Sequence, residues 1–233
     1  LICREERSDG KRLANRLANS GITVMQATPS TWRMLLLSGW KGNPHLKILV
    51  GGEALPKKLS NQLLEKSAGV WNLYGPTETT IWSTISHQNT KRIQHEGSYE
   101  SIGDPISNTQ IYILNSDLQP LPIGKVGELY IGGVGLARGY LNRPQLTQEK
   151  FIPNPFSQQS GSCLYKTGDL ARYLLDGKIE YVGRIDHQVK IRGYRIELEE
   201  IEARLHQEPS VQQAVIIVRE DEQGQKYLIA YIV

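Results

Sequence analysis

Up to Tyr74 the chain alternates short, wholly apolar runs with amphipathic stretches at helical spacing, and this alternation narrows the fold more than any other feature. The stretch KRLANRLANSG sets Leu13 and Leu17 one helical turn apart and ends at Gly21, a residue suited to a C-terminal cap. ITVMQA follows as a strand, and Ser30 is placed to cap a second helix over TWRMLLLSGW. LKILV reads as an apolar strand and GGEALP as a turn. Pro56 then opens a helix with Leu59, Leu63 and Leu64 on one side, and VWNLY is the next strand. Strands apolar throughout, separated by amphipathic helices, predict an α/β fold with a parallel sheet covered on both faces. Ligands of such sheets bind beyond the carboxyl ends of the strands. GGE at 51–53 and GPTE at 75–78 lie at two such ends.

From about residue 100 the texture changes to strand after strand: TQIYILN, GELYIGG, CLYKTGD, and ARYLLDGKIEYVG with Asp176-Gly177 as a hairpin turn. This predicts an antiparallel β-barrel or sheet. After GRIDHQ, the run VKIRGYRIE is strand-like, and a surface hairpin with basic residues is the plain alternative to a role for it at a ligand site. LEEIEARLHQ reads as a helix with Leu198, Ile201 and Leu205 inward, and AVIIVRE with KYLIAYIV as a hairpin. The expected organisation is a large unit over 1–185, divided into an α/β part (1–100) and a barrel part (101–185). The start of a small α+β subdomain follows over 186–233, with the boundary at Asp186. The chain has no initiator Met and stops on an apolar strand, which reads as a fragment or as a domain interrupted by an insertion.

Composition excludes several classes. Hydrophobic content of 39% and charged content of 22% in 233 residues suit a globular protein. The net charge of +3 is spread along the chain, so no nucleic-acid-binding stripe is expected, and no apolar run approaches the length of a membrane span. Cys3 and Cys163 lie far apart, without metal or disulfide spacing, which makes a reducing cytoplasm the default location. The five histidines (45, 87, 95, 187 and 206) show no ligand spacing. There is no Walker-type phosphate loop, no nucleophile elbow, and no dinucleotide fingerprint in GGVGLARGY.

Four stretches stand out together: NLYGPTETT, GELYIGGVGLARGYLNRP, LYKTGDLARYLLDGKIEYVGRIDHQVKIRG and YRIELEEIEARL. In this order they closely resemble the adenylation domains of nonribosomal peptide synthetases, within the adenylate-forming superfamily that includes acyl-CoA synthetases and luciferases. The resemblance runs from about residue 20 to the end. It implies an ATP- and Mg²⁺-dependent ligase that joins a carboxylate to the α-phosphate of ATP. The acyl group then passes to the phosphopantetheine thiol of a peptidyl carrier domain, with neighbouring synthetase domains as further partners. Repulsion between carboxylate and triphosphate has to be offset by a metal and by hydrogen-bond donors.

Carried onto this chain, the resemblance makes Glu78 the metal ligand and catalytic carboxylate, with Thr77 donating to an α-phosphate oxygen. Tyr74 would stack on adenine and Asn72 bond its edge, with Gly75 in the turn between the aromatic and the carboxylate; Gly52 and Glu53 would lie against adenine and the acyl group. Asp169 would accept the ribose hydroxyls, Tyr181 line the nucleotide pocket, and Arg184 lie near ribose and phosphates. Asp186 would be the hinge about which the small subdomain swings between adenylate formation and transfer. In the second orientation QVKIRGYRIE would face the site, with Lys190 assisting and Gly193 leaving room for the phosphopantetheine arm. The acyl pocket would be lined by Gln26, Leu49, Gly51, Leu73, Ile81 and Trp82, none ionisable, which favours an uncharged substrate side chain. Trp82 would either shorten that pocket or stack on an aromatic substrate. GELYIGGVGLARGY is expected to be architectural.

The superfamily's phosphate loop and the Asp for an α-amino group belong upstream of this chain, and its catalytic Lys beyond Val233. The fragment alone is therefore expected to be at best a very weak enzyme. Amino, keto and hydroxy acids remain open as substrates. A stand-alone acyl-CoA synthetase and a non-catalytic interaction module are the alternatives.

Overall fold

The computed structural model describes residues 3–88, 97–186, 188–221, 224 and 226–233. A short helix α1 (Arg4–Arg7) precedes α2 (Gly10–Asn19), whose N-terminus is capped by the Asp9 carboxylate, which accepts from Lys11 N and Arg12 N. Then follow β1 (Val24–Ala27), α3 (Pro29–Leu37), β2 (Asn43–Gly51), α4 (Lys57–Leu64) and β3 (Ser67–Tyr74). A 3₁₀ turn over Thr77–Thr79 leads to β4 (Thr84–Gln88), and β5 (Asp104–Pro105) completes the sheet in the order β1-β2-β3-β4-β5. The pairs β1–β2 and β2–β3 are parallel, whereas β3–β4 and β4–β5 are antiparallel.

Two sequence expectations are corrected here. The cap of α3 is Thr28, not Ser30: the Thr28 hydroxyl accepts from Thr31 N. Pro29 has no N–H and a fixed φ, so it takes the first helical position and moves the start two residues earlier. Among the described residues, helices also cover one face of the parallel strands rather than two. Consecutive right-handed crossovers in one direction place their helices on the same side. Accordingly Leu13, Leu17, Trp32, Leu35, Leu59 and Leu63 from the helices pack with Leu46, Ile48, Val50 and Val70 in one core. On the other face Val24 and Gln26 are exposed and Leu49 is half-buried.

The second sheet is antiparallel. It contains β6 (Thr109–Leu114), β7 (Gly127–Gly133), β8 (Phe151–Pro153), β9 (Cys163–Tyr173) and β10 (Ile179–Arg184), with the short helix α5 (Pro144–Lys150) before β8. The order is β10-β9-β7-β6, with β8 also against β9, so the described strands form an open sheet. The turn after β9 closes where expected: Gly177 N donates to Leu174 O and Leu174 N to Lys178 O. Tyr74, at the end of β3, packs in the core of this second sheet with Leu129, Ala171 and Ile179, and so joins the two sheets at one place.

Beyond it come β11 (Val189–Ile191), β12 (Tyr194–Ile196), α6 (Leu198–Leu205), β13 (Ala214–Glu220) and β14 (Lys226–Ile232). The strand-like run VKIRGYRIE is therefore a hairpin of two short strands. Arg192 and Gly193 both have positive φ, the backbone of a two-residue hairpin turn. The pair β13–β14 is the expected hairpin. Among the described residues no helix is long and apolar enough to cross a membrane.

Candidate functional site

The carboxyl end of β3, a bulge in β9 and the β11–β12 hairpin meet around two adjoining cavities of about 490 and 220 Å³. The cavities share Gly52, Gly75, Asp169, Arg184, Gln188 and Lys190 in their walls. The larger adds Glu53, Asn72, Leu73, Tyr74, Tyr181 and Asp186, and the smaller Thr77, Ile81, Trp82, Tyr165, Gly193 and Arg195.

The Asp169 side is built by a break in pairing. Between β7 and β9, Glu128 lies opposite Leu170 and Tyr130 opposite Lys166, so Thr167, Gly168 and Asp169 together face Leu129. Such a bulge re-aims a side chain. Gly168 turns it with φ +74°, and the Thr167 hydroxyl fastens it by donating to Leu129 O (2.7 Å) and accepting from Asp169 N (2.9 Å). Asp169 is 4% exposed; its Oδ2 accepts from the Tyr74 hydroxyl (2.5 Å) and its Oδ1 from Arg184 Nη1 (2.7 Å). Arg184 lies directly opposite it across the β9–β10 pair. The remaining edge of the Arg184 guanidinium forks onto Asp186, with Nε to Oδ1 and Nη2 to Oδ2, each at 2.6 Å. Burial pushes the Asp169 carboxyl up, and Arg184 and Tyr74 reverse only part of that. Burial and then Asp169 push the Tyr74 hydroxyl well up, so it stays a donor. Burial pushes the Lys190 ammonium down despite the charge of Asp169.

Glu78 is different. It lies in the 3₁₀ turn after β3, is 6% exposed, and lines neither cavity directly. Its Oε1 accepts from the Tyr140 hydroxyl (2.6 Å) and from Arg195 Nη1 (2.8 Å), and its Oε2 is buried without a hydrogen-bond partner. Burial pushes the carboxyl up, but Tyr140 and Arg195 together bring it below its ordinary value. The loop after β7 holds the turn through Ala137 N to Glu78 O and the Thr80 hydroxyl to Gly135 O. One orphaned, ionised oxygen with Arg195 over its partner suits Mg²⁺, which is held by one or two carboxylates and otherwise by phosphate and water. Among the described residues no group of three or more His, Cys, Asp or Glu could form a cage for a metal. His95 and His187 lie outside the described residues.

The hairpin is held at the other end by Glu53, whose carboxylate accepts from Gly193 N (2.6 Å) and from the Ser30 hydroxyl (3.0 and 3.2 Å). Asn72 is committed through its amide N–H to Ser101 O (2.9 Å). The six acyl-pocket candidates do not all meet. Leu73, Ile81 and Trp82 line the cavities. A Cβ on Gly51 would lie 2.4 Å from Trp82 Cη2, so only glycine admits that indole. Gln26 and Leu49 are paired neighbours on β1 and β2 but line neither cavity. Tyr140, Tyr165 and Arg195 were not singled out from the sequence. Tyr140 sits in the stretch expected to be architectural, and Arg195 lies opposite Lys190 in the β11–β12 hairpin.

Comparison with protein families matches residues 1–141 to the family described as AMP-binding enzyme. The chain is 50% identical, over 95% of its length, to a dimodular nonribosomal peptide synthase of Bacillus subtilis (strain 168), of which it spans 9%. It is similar over 99% of its length to a crystal structure of a four-domain nonribosomal peptide synthetase bound to AMP and glycine, with 44% identity, a TM-score of 0.73 and 17% of that chain covered. It is also similar to the Vibrio cholerae adenylation domain AlmE in complex with glycyl-adenosine-5'-phosphate, with 30% identity, a TM-score of 0.82, and 94% of this chain and 42% of that one covered. The chain belongs to the AMP-binding enzyme family, and its relatives within it are nonribosomal peptide synthetases.

Proposed function

We propose that this chain forms part of an adenylation domain that activates an amino acid, or a related carboxylic acid, as its acyl-adenylate and passes it to a carrier-protein thiol. The observation that carries the reading is the convergence of Tyr74, Asp169 and Arg184 from three strands on one cavity, with the orphaned Glu78 oxygen beside it. Asp169 retains lone pairs to accept the ribose hydroxyls while Tyr74 and Arg184 hold it in place. Tyr74 and Tyr181 offer aromatic walls to adenine. Thr77, exposed on the smaller cavity, presents its hydroxyl to the α-phosphate, and Arg184 and Lys190 supply positive charge to it. Mg²⁺ would be held by Glu78 and would neutralise triphosphate charge.

Asp186 is the proposed boundary and hinge between a large subdomain, 1–185, and a small one beginning there. Here the β11–β12 hairpin faces the cavities, which fits the orientation for acyl transfer, and Gly193 and Lys190 line the way in for a phosphopantetheine arm. Glycine-bound relatives suit a chain whose Trp82 sits down on Gly51, a geometry that shortens an acyl pocket. A cytoplasmic setting, where ATP is available, belongs to the same reading. The test is substrate-dependent exchange of labelled pyrophosphate into ATP by the full-length protein across amino, keto and hydroxy acids. Exchange driven by one or a few small uncharged acids is expected; no exchange with any acid, together with no heat on titrating ATP, would remove the proposal.

A further inference from the structure

We propose that Glu128 is a positioning residue for the nucleotide ribose, acting through the β9 bulge that aims Asp169. This rests on the nucleotide reading of the cavity given above. The Glu128 side chain projects from β7 with only 12% exposure, and its Oε1 accepts from Gly168 N at 3.1 Å. Its Oε2 accepts from the hydroxyl of buried Tyr130 (3.0 Å), and Lys166 Nζ lies 3.8 Å away. The carboxylate is thus fixed at one oxygen and spends the other on a backbone N–H that the bulge has taken out of the strand ladder.

That N–H belongs to the residue just before Asp169. The backbone of Gly168 runs close beside the Arg184–Asp186 pair: a Cβ there would stand 3.0 Å from Arg184 Nη2 and 3.1 Å from Asp186 Oδ2. Its carbonyl accepts from Ile185 N (2.9 Å), so the peptides on the two sides of Gly168 are held separately, one by Glu128 and the next by the backbone of β10's end. Two independent pins, Glu128 on Gly168 N and the Thr167 hydroxyl on Leu129 O and Asp169 N, therefore set where the Asp169 carboxylate points. An ordinary antiparallel ladder would need neither. Carboxylate-to-diol recognition is directional, so a bulge released from its pins misplaces the acceptor without removing it.

The experiment titrates the full-length protein with ATP and with 2',3'-dideoxy-ATP, which lacks both ribose hydroxyls, and compares dissociation constants calorimetrically. Glu128→Ala is expected to weaken ATP about tenfold, as for loss of a charged-group hydrogen bond, and dideoxy-ATP by less than about twofold. Glu128→Gln keeps an acceptor for Gly168 N and should restore most of the preference for ATP. Thr167→Val, which cuts the second pin, should repeat the Glu128→Ala signature and serves if that variant does not fold. Equal losses for both nucleotides in the alanine and valine variants, or no loss in either, overturn the proposal while leaving the site reading intact. A wild-type protein that binds neither nucleotide overturns both.

Discussion

The two carboxylates of the site, Glu78 behind the first sheet and Asp169 in the second, are buried to a similar degree and held in opposite ways. Asp169 is held by Arg184 across the β9–β10 pair and by Tyr74 from the first sheet, with both oxygens bonded, and its carboxyl is pushed up. Glu78 is held by side chains 62 and 117 residues further along the chain, keeps one bare oxygen, and its carboxyl is brought down. The difference matches the tasks proposed for them: a group with both oxygens braced suits a fixed acceptor for neutral hydroxyls, whereas an ionised group with a bare oxygen suits a cation.

The largest effect should come from removing each charge in turn. Glu78→Gln is expected to lower kcat/KM for pyrophosphate exchange by on the order of 10²–10³-fold, mostly in kcat, because it removes charge stabilisation of the reacting phosphate. Asp169→Asn should act mainly on the KM for ATP, by about tenfold or somewhat more, the value of charged hydrogen bonds to the ribose. Steady-state exchange at varied ATP separates them. If both variants moved KM alike, the division of labour drawn here would be wrong.

A second, smaller effect distinguishes them by pH. The raised Asp169 carboxyl favours its protonated form in the folded chain, so its contribution to stability is present in acid and is lost as pH rises through the folded pKa. Ribose recognition runs the other way, because it needs the ionised form. Affinity should therefore fall on acidification with a midpoint above the ordinary carboxylate value of about 3.9. Adenosine is the probe, since it has no phosphate to titrate. Arg184 holds the charged form, so Arg184→Gln should move that midpoint up. A midpoint that stays put would mean that Arg184 does not set the ionisation of Asp169. Glu78, already lowered, should add no acid limb in the same range.

The same contrast explains what could be read in the sequence. Local chemistry was legible: the Asp176-Gly177 turn, the helix at Pro56, the strand ends that carry Gly51 and Tyr74, and the TGD stretch that carries Asp169. The start of α3 differs from the expectation because hydroxyl residues on both sides of Pro29 leave the cap ambiguous by two positions. The turn at Arg192-Gly193 is not located by the pattern, because a single glycine inside an alternating run is compatible with continuous strand as well as with a hairpin. Arg195 and Tyr140 were invisible for a stronger reason. Their partner lies so far away in the chain that no spacing rule connects them, and only the packing of the β7–α5 loop and the β11–β12 hairpin onto one turn brings them to Glu78.

The mildest perturbation removes one hydroxyl from each carboxylate. Tyr74→Phe takes a donor from Asp169, and Tyr140→Phe takes one from Glu78. Each deletion should cost about 1 kcal/mol, a few-fold in the affected constant. Tyr74→Phe should raise the KM for ATP, since Asp169 loses half of its bracing. Tyr140→Phe should leave that KM alone and instead alter the dependence on Mg²⁺, because Arg195 remains at the same Oε1 and becomes the sole partner of Glu78. The two oxygens then differ by one cation rather than by a hydroxyl and a cation, and a divalent ion has only Arg195 to displace. A lower Mg²⁺ concentration for half-maximal exchange in Tyr140→Phe, with no such change in Tyr74→Phe, is the expected pattern. The reverse pattern would mean that the hydroxyls, not the charges, decide which carboxylate takes the metal.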